Sequence, residues 1–132
     1  IDATQKGDIT QGGAVWSYNK INRTISTVSI DPDTGLLFIA DYSGFVYCLD
    51  AETGKEHWIH DMKAHMWGST LVADGKVFLG DEDGDLVVLE ASAEKKVLNE
   101  VFFGAPIYST PVVANGVLYV GTQTHLYAIG NK

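Results

Sequence analysis

Two short apolar runs flank an Asp-Gly pair in the stretch Ser69-Thr70-Leu71-Val72-Ala73-Asp74-Gly75-Lys76-Val77-Phe78-Leu79-Gly80-Asp81. An Asp-Gly or Asn-Gly pair between apolar runs is typical of a two-residue β-hairpin, because both central residues of a type I′ turn need positive φ. The stretch therefore predicts two antiparallel strands joined by a tight turn at residues 74–75.

The same pattern occurs twice more, in residues 26–41 and 109–122. The later copy turns at Asn115-Gly116, whereas the earlier copy has a longer connector, residues 31–35. The second run of each copy ends at a small residue, and these residues fall 40 and 41 positions apart: Ala40, Gly80 and Gly121. Self-similarity at a fixed period of this length is the signature of a repeat architecture.

Each unit continues into further strands. Third strands are predicted at residues 45–49, 86–89 and 126–129, and fourth strands at 56–60 and 96–102. Four short antiparallel strands in about 40 residues are typical of a propeller blade. We find no apolar 3.6-residue period with capping signals, so no helix is predicted. A β-sandwich would not repeat its own sequence, and the predicted fold class is all-β, a partial β-propeller of about three blades.

One turn resembles a known family. The segment Cys48-Leu49-Asp50-Ala51-Glu52-Thr53-Gly54-Lys55-Glu56-His57-Trp58 is similar to the A-x-D-x-x-T-G-x-x-x-W signature of pyrroloquinoline-quinone-type propellers, with Cys48 in place of the usual Ala. The resemblance implies that Asp50, Thr53 and Gly54 shape the turn between the third and fourth strands. It also implies that the Trp58 ring docks between neighbouring blades.

Weaker copies of the signature precede and follow this turn. Asp8, Gly12 and Trp16 keep the spacing at the N-terminus, and a register that starts at Asp2 is an alternative. In the second unit the signature has decayed to Glu90, Ala93, Glu94 and Leu98. A WD-type propeller has the same period, but the chain contains no Trp-Asp dipeptide. Because Trp16 keeps the spacing of the signature, we expect its ring to dock like that of Trp58.

Residues 1–132 are expected to form a partial propeller, which these units divide into blades. We expect residues 1–20 to end a preceding blade, with an outer strand around 14–18. Residues 25–62 and 67–103 are expected to form full blades, and residues 108–132 the three inner strands of a last blade. Propellers typically have about 4–8 blades. The remaining blades are expected from a longer parent chain or from a second copy, whose Trp16 strand would complete the blade that contains Ala128.

Composition limits the classes of partner. The net charge is −8, and the nine Lys and Arg residues form no cluster. A nucleic-acid surface needs a basic stripe and an anionic membrane surface needs a basic cluster, so both are disfavoured and no transmembrane segment is predicted. The single cysteine, Cys48, excludes an internal disulfide, and its place in an alternating strand indicates a small buried side chain.

Metal-ligating residue types occur at two places. Asp81, Asp83 and Asp85 alternate around a glycine as in a calcium loop, but the bidentate Glu of such loops is absent, and a solvated turn is the preferred interpretation. His57 and His60 are three apart on a strand and therefore face opposite sides of the sheet. We predict no metal site there, and His65 falls in a connector between blades.

Trp67 and Tyr108 precede equivalent inner strands. In a propeller this connector lies at one rim, near the central channel, so the two aromatic side chains are candidates for a rim binding surface. Packing between blades is the competing interpretation.

We find no haem-attachment, phosphate-loop, nucleophile-elbow or zinc-protease motif and assign no catalytic or cofactor-binding residue. The chain resembles the outer-membrane-assembly-lipoprotein-like branch of the superfamily, which implies an extracytoplasmic, non-catalytic scaffold with a protein partner. One alternative is a segment of a quinone-dependent alcohol or sugar dehydrogenase, for which the resemblance implies pyrroloquinoline quinone and calcium. A carbohydrate- or small-ligand-binding propeller using Trp67 and Tyr108 is a second alternative.

Overall fold

A computed structural model describes residues 1–130, so Asn131 and Lys132, which we assigned to the last blade, lie outside the described residues. Eleven strands in that range form three separate antiparallel sheets. The first sheet contains β1 (Ser29–Asp31), β2 (Leu36–Ala40), β3 (Phe45–Asp50) and β4 (Glu56–Asp61). The second contains β5 (Leu71–Ala73), β6 (Lys76–Gly80), β7 (Asp85–Glu90) and β8 (Val97–Phe102), and the third contains β9 (Val112–Ala114), β10 (Val117–Gly121) and β11 (Leu126–Ile129).

In each sheet the strands pair in chain order. The described residues contain no helix, which confirms the all-β prediction, and therefore none long and apolar enough to cross a membrane. We call the sheets the first, second and third blades.

Tight turns join the first two strands of the later blades. Asp74 and Gly75 have φ of 52° and 66°, and Asn115 and Gly116 have φ of 52° and 74°. Positive φ at both central residues is the requirement of a type I′ turn, as the sequence predicted. In the first blade a longer loop is closed by the Thr34 hydroxyl, which donates to the Asp31 carboxylate at 2.6 Å.

The innermost strands of the first and second blades are shorter than expected, because residues before them bond to the next connector. The Ser26 hydroxyl donates to the carbonyl of Gly68 at 2.7 Å, and the Ser69 amide donates to the Thr110 hydroxyl at 2.7 Å. Strand β1 therefore begins at Ser29 rather than at residue 26. The connectors run side by side and join the blades at their inner ends.

The largest core lies between the first and second blades. Its buried members come from both sheets and from the connector between them, and include Phe38, Val46, Trp58, Met66, Leu79 and Leu89. A smaller cluster of Leu86, Ile107 and Val120 joins the second and third blades. Every residue of β8 is exposed, so the outer strand of the second blade covers no core.

Residues 14–18, for which we predicted an outer strand, belong to no strand. An outer strand needs backbone hydrogen bonds from the third strand of its own blade, and within residues 1–130 no strand precedes Ser29. The segment is held by side chains instead, since the Trp16 indole N–H donates to the carbonyl of Ala51 at 3.0 Å.

Candidate binding site at the rim of the inner strands

The connectors that enter the second and third blades touch at Gly68. A Cβ atom on Gly68 would lie 2.9 Å from the backbone of Ser109, so only glycine permits this approach. The hydrogen bond from Ser69 to Thr110 fixes the same two connectors. The residues just before the contact, Trp67 and Tyr108, are thereby held side by side at the rim.

The rings of Trp67 and Tyr108 form an open notch. Their centroids are 5.8 Å apart, their planes meet at 76°, and together they line a cleft of about 250 Å³. The two residues are 41% and 46% exposed. The indole N–H of Trp67 donates to the Glu82 carboxylate at 3.0 Å, which fixes the orientation of that ring. Aromatic rings held rigid and exposed are typical of binding surfaces.

A second aromatic layer supports the notch. The Tyr42 ring stacks on the His65 imidazole at 4.5 Å and meets the Trp67 ring edge-on at 5.1 Å. The Arg23 guanidinium lies 4.8 Å from the centre of the Tyr42 ring. His65 is therefore part of the support of the rim, where sequence analysis had placed it only in a connector.

Sequence analysis missed one member of the rim. Ile25 lies four residues before β1, as Trp67 lies four residues before β5 and Tyr108 four residues before β9. It is 48% exposed. The Ser-Thr pair that follows Ile25 was the available signal, and we call the residues at the three equivalent positions the rim row: Ile25, Trp67 and Tyr108.

The turn that carries the family signature is closed by Asp50. Its carboxylate accepts the backbone N–H of Thr53 at 2.8 Å and of Glu52 at 3.2 Å, and the Thr53 hydroxyl at 2.7 Å. The Thr53 hydrogen bonds are the main reason that the pKa of Asp50 is lowered. Gly54 follows with a φ of 71°. All of these contacts lie within the turn at residues 50–54.

Two tryptophans make the same contact 42 residues apart. The Trp58 indole N–H donates to the carbonyl of Ser92 at 2.8 Å, as Trp16 does to Ala51. Trp58 is buried, with its ring 5.8 Å from that of Phe38. A Cβ on Gly54 would lie 2.5 Å from the Trp16 ring, so this glycine also makes room for the indole. Each ring contacts a turn between third and fourth strands, Trp16 that of the first blade and Trp58 that of the second.

Leu98 is not the counterpart of Trp58. Strand register pairs Cys48 with Trp58 in the first blade and Val88 with Asn99 in the second, so the exposed Asn99 takes the equivalent position. The turn of the second blade is one residue longer, because Glu90 bonds to Lys96 where Asp50 bonds to Lys55. The additional residue in this turn moves the position equivalent to Trp58 from Leu98 to Asn99.

Of the three residues of the weak calcium candidate, Asp81, Asp83 and Asp85, only Asp81 is buried. One oxygen of the fully buried Asp81 accepts the backbone N–H groups of Asp83, Gly84 and Asp85 at 2.9–3.1 Å, and its other oxygen has no partner within the described residues. Burial is the main reason that the pKa of Asp81 is raised. Among residues 1–130, no three Asp, Glu, His or Cys side chains are placed to hold one metal ion.

The remaining reactive side chains are separated. Burial raises the pKa of the Cys48 thiol to about 12, which keeps it protonated and unreactive at neutral pH. Burial also lowers the pKa of His60, which lies in a small cleft with Asp61, Lys63 and Glu100.

Known proteins resemble this chain over most of its length. Residues 5–97 match a family model described as "Outer membrane protein assembly factor BamB". The BamB protein of Moranella endobia (strain PCIT) is 27% identical over 87% of the chain, and the quinohemoprotein alcohol dehydrogenase of Comamonas testosteroni is 24% identical over 98%. The chain spans 30% and 20% of the length of these two curated relatives.

Solved structures have the same fold. BamB from Moraxella catarrhalis matches 80% of this chain, and the chain covers 30% of it, with a TM-score of 0.66 at 16% identity. The Comamonas testosteroni dehydrogenase matches 81%, and the chain covers 18% of it, with a TM-score of 0.67 at 25% identity. The three sheets are therefore blades of a partial propeller, as predicted, and relatives include both an assembly factor and a dehydrogenase.

Proposed function

The chain belongs to the outer membrane protein assembly factor BamB family of pyrroloquinoline-quinone-like β-propellers, and from this premise we propose that it is part of a non-catalytic scaffold that binds protein partners. The rim row is the proposed contact surface. Because the named relative is an assembly factor for outer membrane proteins, we further propose that the partners are such proteins and that the scaffold is extracytoplasmic, in the periplasm.

The observation that carries this proposal is the exposed, rigid pair Trp67 and Tyr108. Tryptophan and tyrosine are enriched among the residues that dominate protein interfaces, because each buries a large area at a low entropic cost. The Trp67 ring is already held by Glu82, and the contact between connectors at Gly68 fixes the backbone that carries both rings. Binding to such a surface would therefore lose little side-chain freedom.

The test uses a soluble segment of an outer-membrane β-barrel protein, kept unfolded in dilute urea, as the probe for the purified full chain. We expect Trp67→Ala to weaken binding at least about tenfold, or about 1.4 kcal/mol. Its thermal midpoint should change little, because Trp67 is half exposed. Val97→Ala is the control, since Val97 is 46% exposed and pairs with Leu89, at the end of β8 opposite the turn that carries Glu82.

Unchanged binding by Trp67→Ala would remove the rim row from the proposal. A parallel loss of thermal stability would assign Trp67 to packing between blades. Tight binding of a neutral oligosaccharide that depends on Trp67 would favour the carbohydrate-binding alternative.

A second candidate function is a segment of a quinone-dependent dehydrogenase. It is supported by the likeness to the Comamonas testosteroni enzyme, which extends over 98% of the chain. The described residues do not fit a calcium site, because no three suitable ligands come together among them. Titrating the chain with pyrroloquinoline quinone and Ca²⁺ while following Trp fluorescence tests this candidate, and saturable binding of both would favour it.

We also propose how the blade edges are covered, either by further blades of a longer parent chain or by a second copy that closes a ring. The supporting observations are an unpaired segment at residues 14–18 and the free edge of β11 in the third sheet. Light scattering on the folded chain distinguishes these arrangements: a mass of two chains supports the ring, and a soluble folded monomer excludes it.

A further inference from the structure

The open notch between Trp67 and Tyr108 has a shape and a charge that select a particular kind of peptide. We propose that it binds a proline ring of an extended peptide, and that Glu82 pairs with a Lys or Arg close to that proline. The inference rests on the proposed function, because it names the chemistry of the protein partner at the same rim.

The angle between the rings is the first argument. Planes that meet at 76° with centroids 5.8 Å apart present one aromatic face and one aromatic edge, as two sides of a wedge. A compact, rigid aliphatic ring fits such a wedge. Proline-rich segments dock in aromatic-lined grooves of this kind, because their extended conformation is already formed before binding.

The rigidity of the notch is the second argument. The Glu82 carboxylate accepts the Trp67 indole N–H at 3.0 Å, and the centroid of the Tyr42 ring lies 5.1 Å from that of Trp67. The Ser69–Thr110 hydrogen bond fixes the two connectors. The Trp67 wall and the backbone of both connectors therefore need no ordering when a ligand enters. A preformed notch and a preformed ligand both reduce the entropy lost on association.

The charge beside the notch is the third argument. The Glu82 carboxylate lies against the edge of Trp67, the neighbouring Asp83 is exposed, and the whole chain carries a net charge of −8. The nearby cation, Arg23, is already engaged with the Tyr42 ring on the supporting side. Complementary charge therefore favours a ligand that places a cation beside its proline.

The experiment measures binding of three labelled decapeptides to the full chain by fluorescence anisotropy. The reference peptide has two prolines three residues apart and an adjacent arginine, the second has both prolines replaced by alanine, and the third has glutamate in place of arginine. We expect affinity to fall at least about tenfold without the prolines. We expect a fall of about three- to tenfold with glutamate, diminishing at high salt.

Two variants locate the binding. Tyr108→Ala should abolish the preference for proline, because one wall of the notch is lost. Glu82→Gln retains an oxygen that can accept the Trp67 N–H, so the notch should persist while the preference for arginine over glutamate disappears. Val97→Ala, at the far end of the exposed outer strand, should behave like the unchanged protein.

The outcomes separate this inference from the proposed function. If the unfolded β-barrel segment binds through Trp67 but the three peptides bind equally or not at all, the inference is overturned and the scaffold proposal stands. Failure of both the segment and the peptides removes both proposals. An arginine preference that survives in Glu82→Gln overturns the assignment of Glu82.

Discussion

The first and second blades have the same four-stranded sheet but differ in what their outer strands do. Trp58 on β4 is buried and bonds to Ser92 of the next blade, whereas the equivalent residue on β8, Asn99, is exposed. Strand pairing inside the two sheets is nearly the same. The two blades therefore share the pairing of their sheet and differ in the contact that the outer strand makes with the next blade.

The two blades also differ around an equivalent buried aspartate. Asp41 accepts the Tyr47 hydroxyl at 2.8 Å, and burial, followed by this contact, raises the pKa of Tyr47 to about 12. In the second blade Val87 stands in the place of Tyr47, and one oxygen of Asp81 is left without a partner within the described residues. Each carboxylate receives three hydrogen bonds, but those of Asp41 are shared between its two oxygens and those of Asp81 all fall on one.

Truncating the docking tryptophan should produce the largest difference in stability between changes in the two blades. We expect Trp58→Ala to lower the free energy of unfolding by about 3–5 kcal/mol, because a large buried ring and its hydrogen bond are lost. Asn99→Ala, the matched change in the second blade, should cost less than about 0.5 kcal/mol, because Asn99 is exposed. Urea unfolding followed by circular dichroism measures both values. A cost below about 1 kcal/mol for Trp58→Ala would contradict the docking role.

Adding one methyl group to the signature turn should have an intermediate effect. We expect Gly54→Ala to cost about 2–3 kcal/mol, from its positive φ and from overlap with the Trp16 ring. Gly75→Ala is the control, because Gly75 has a φ of 66° but nothing within 4 Å of the added carbon, and it should cost about 1 kcal/mol. Equal costs in the same urea experiment would mean that Trp16 moves aside freely.

The smallest expected effect is a pH dependence at Asp81. Burial raises its folded pKa above the ordinary value of 3.8, although three backbone N–H groups oppose this shift. Protonation is therefore favoured in the folded state. The stability of the protein relative to the non-titrating Asp81→Asn should rise as pH falls from 7 through the raised pKa, and level off below 3.8. Urea unfolding at several pH values tests the sign, and a relative loss of stability on acidification would show that the N–H groups dominate.

The sequence was sufficient for the features that depend on local chemistry. Asp74-Gly75 and Asn115-Gly116 require positive φ whatever surrounds them, and the period of about 40 residues followed directly from repeated runs. The family signature likewise pointed to one turn, since Asp50 and Thr53 make their contacts within three residues. The blade prediction needed no long-range information.

Features that depend on contacts between blades were harder to predict. One additional residue in the turn after Glu90 moved the Trp58 position from Leu98 to Asn99, which only strand pairing reveals. The predicted outer strand at residues 14–18 lacks the neighbour that would pair with it. Trp67 and Tyr108 were named as candidates, but their perpendicular rings depend on the approach of two connectors at Gly68.

The direction of the contacts between blades has a consequence for how such a protein can change in evolution. Each tryptophan on an outer segment donates to the following blade, and the connectors are hydrogen-bonded in series, so one module carries a donor end and an acceptor end. Head-to-tail surfaces of this kind are compatible with duplication or deletion of a whole module, because the newly joined ends still match. Asn99 then marks one outer strand of such a module that carries no docking ring.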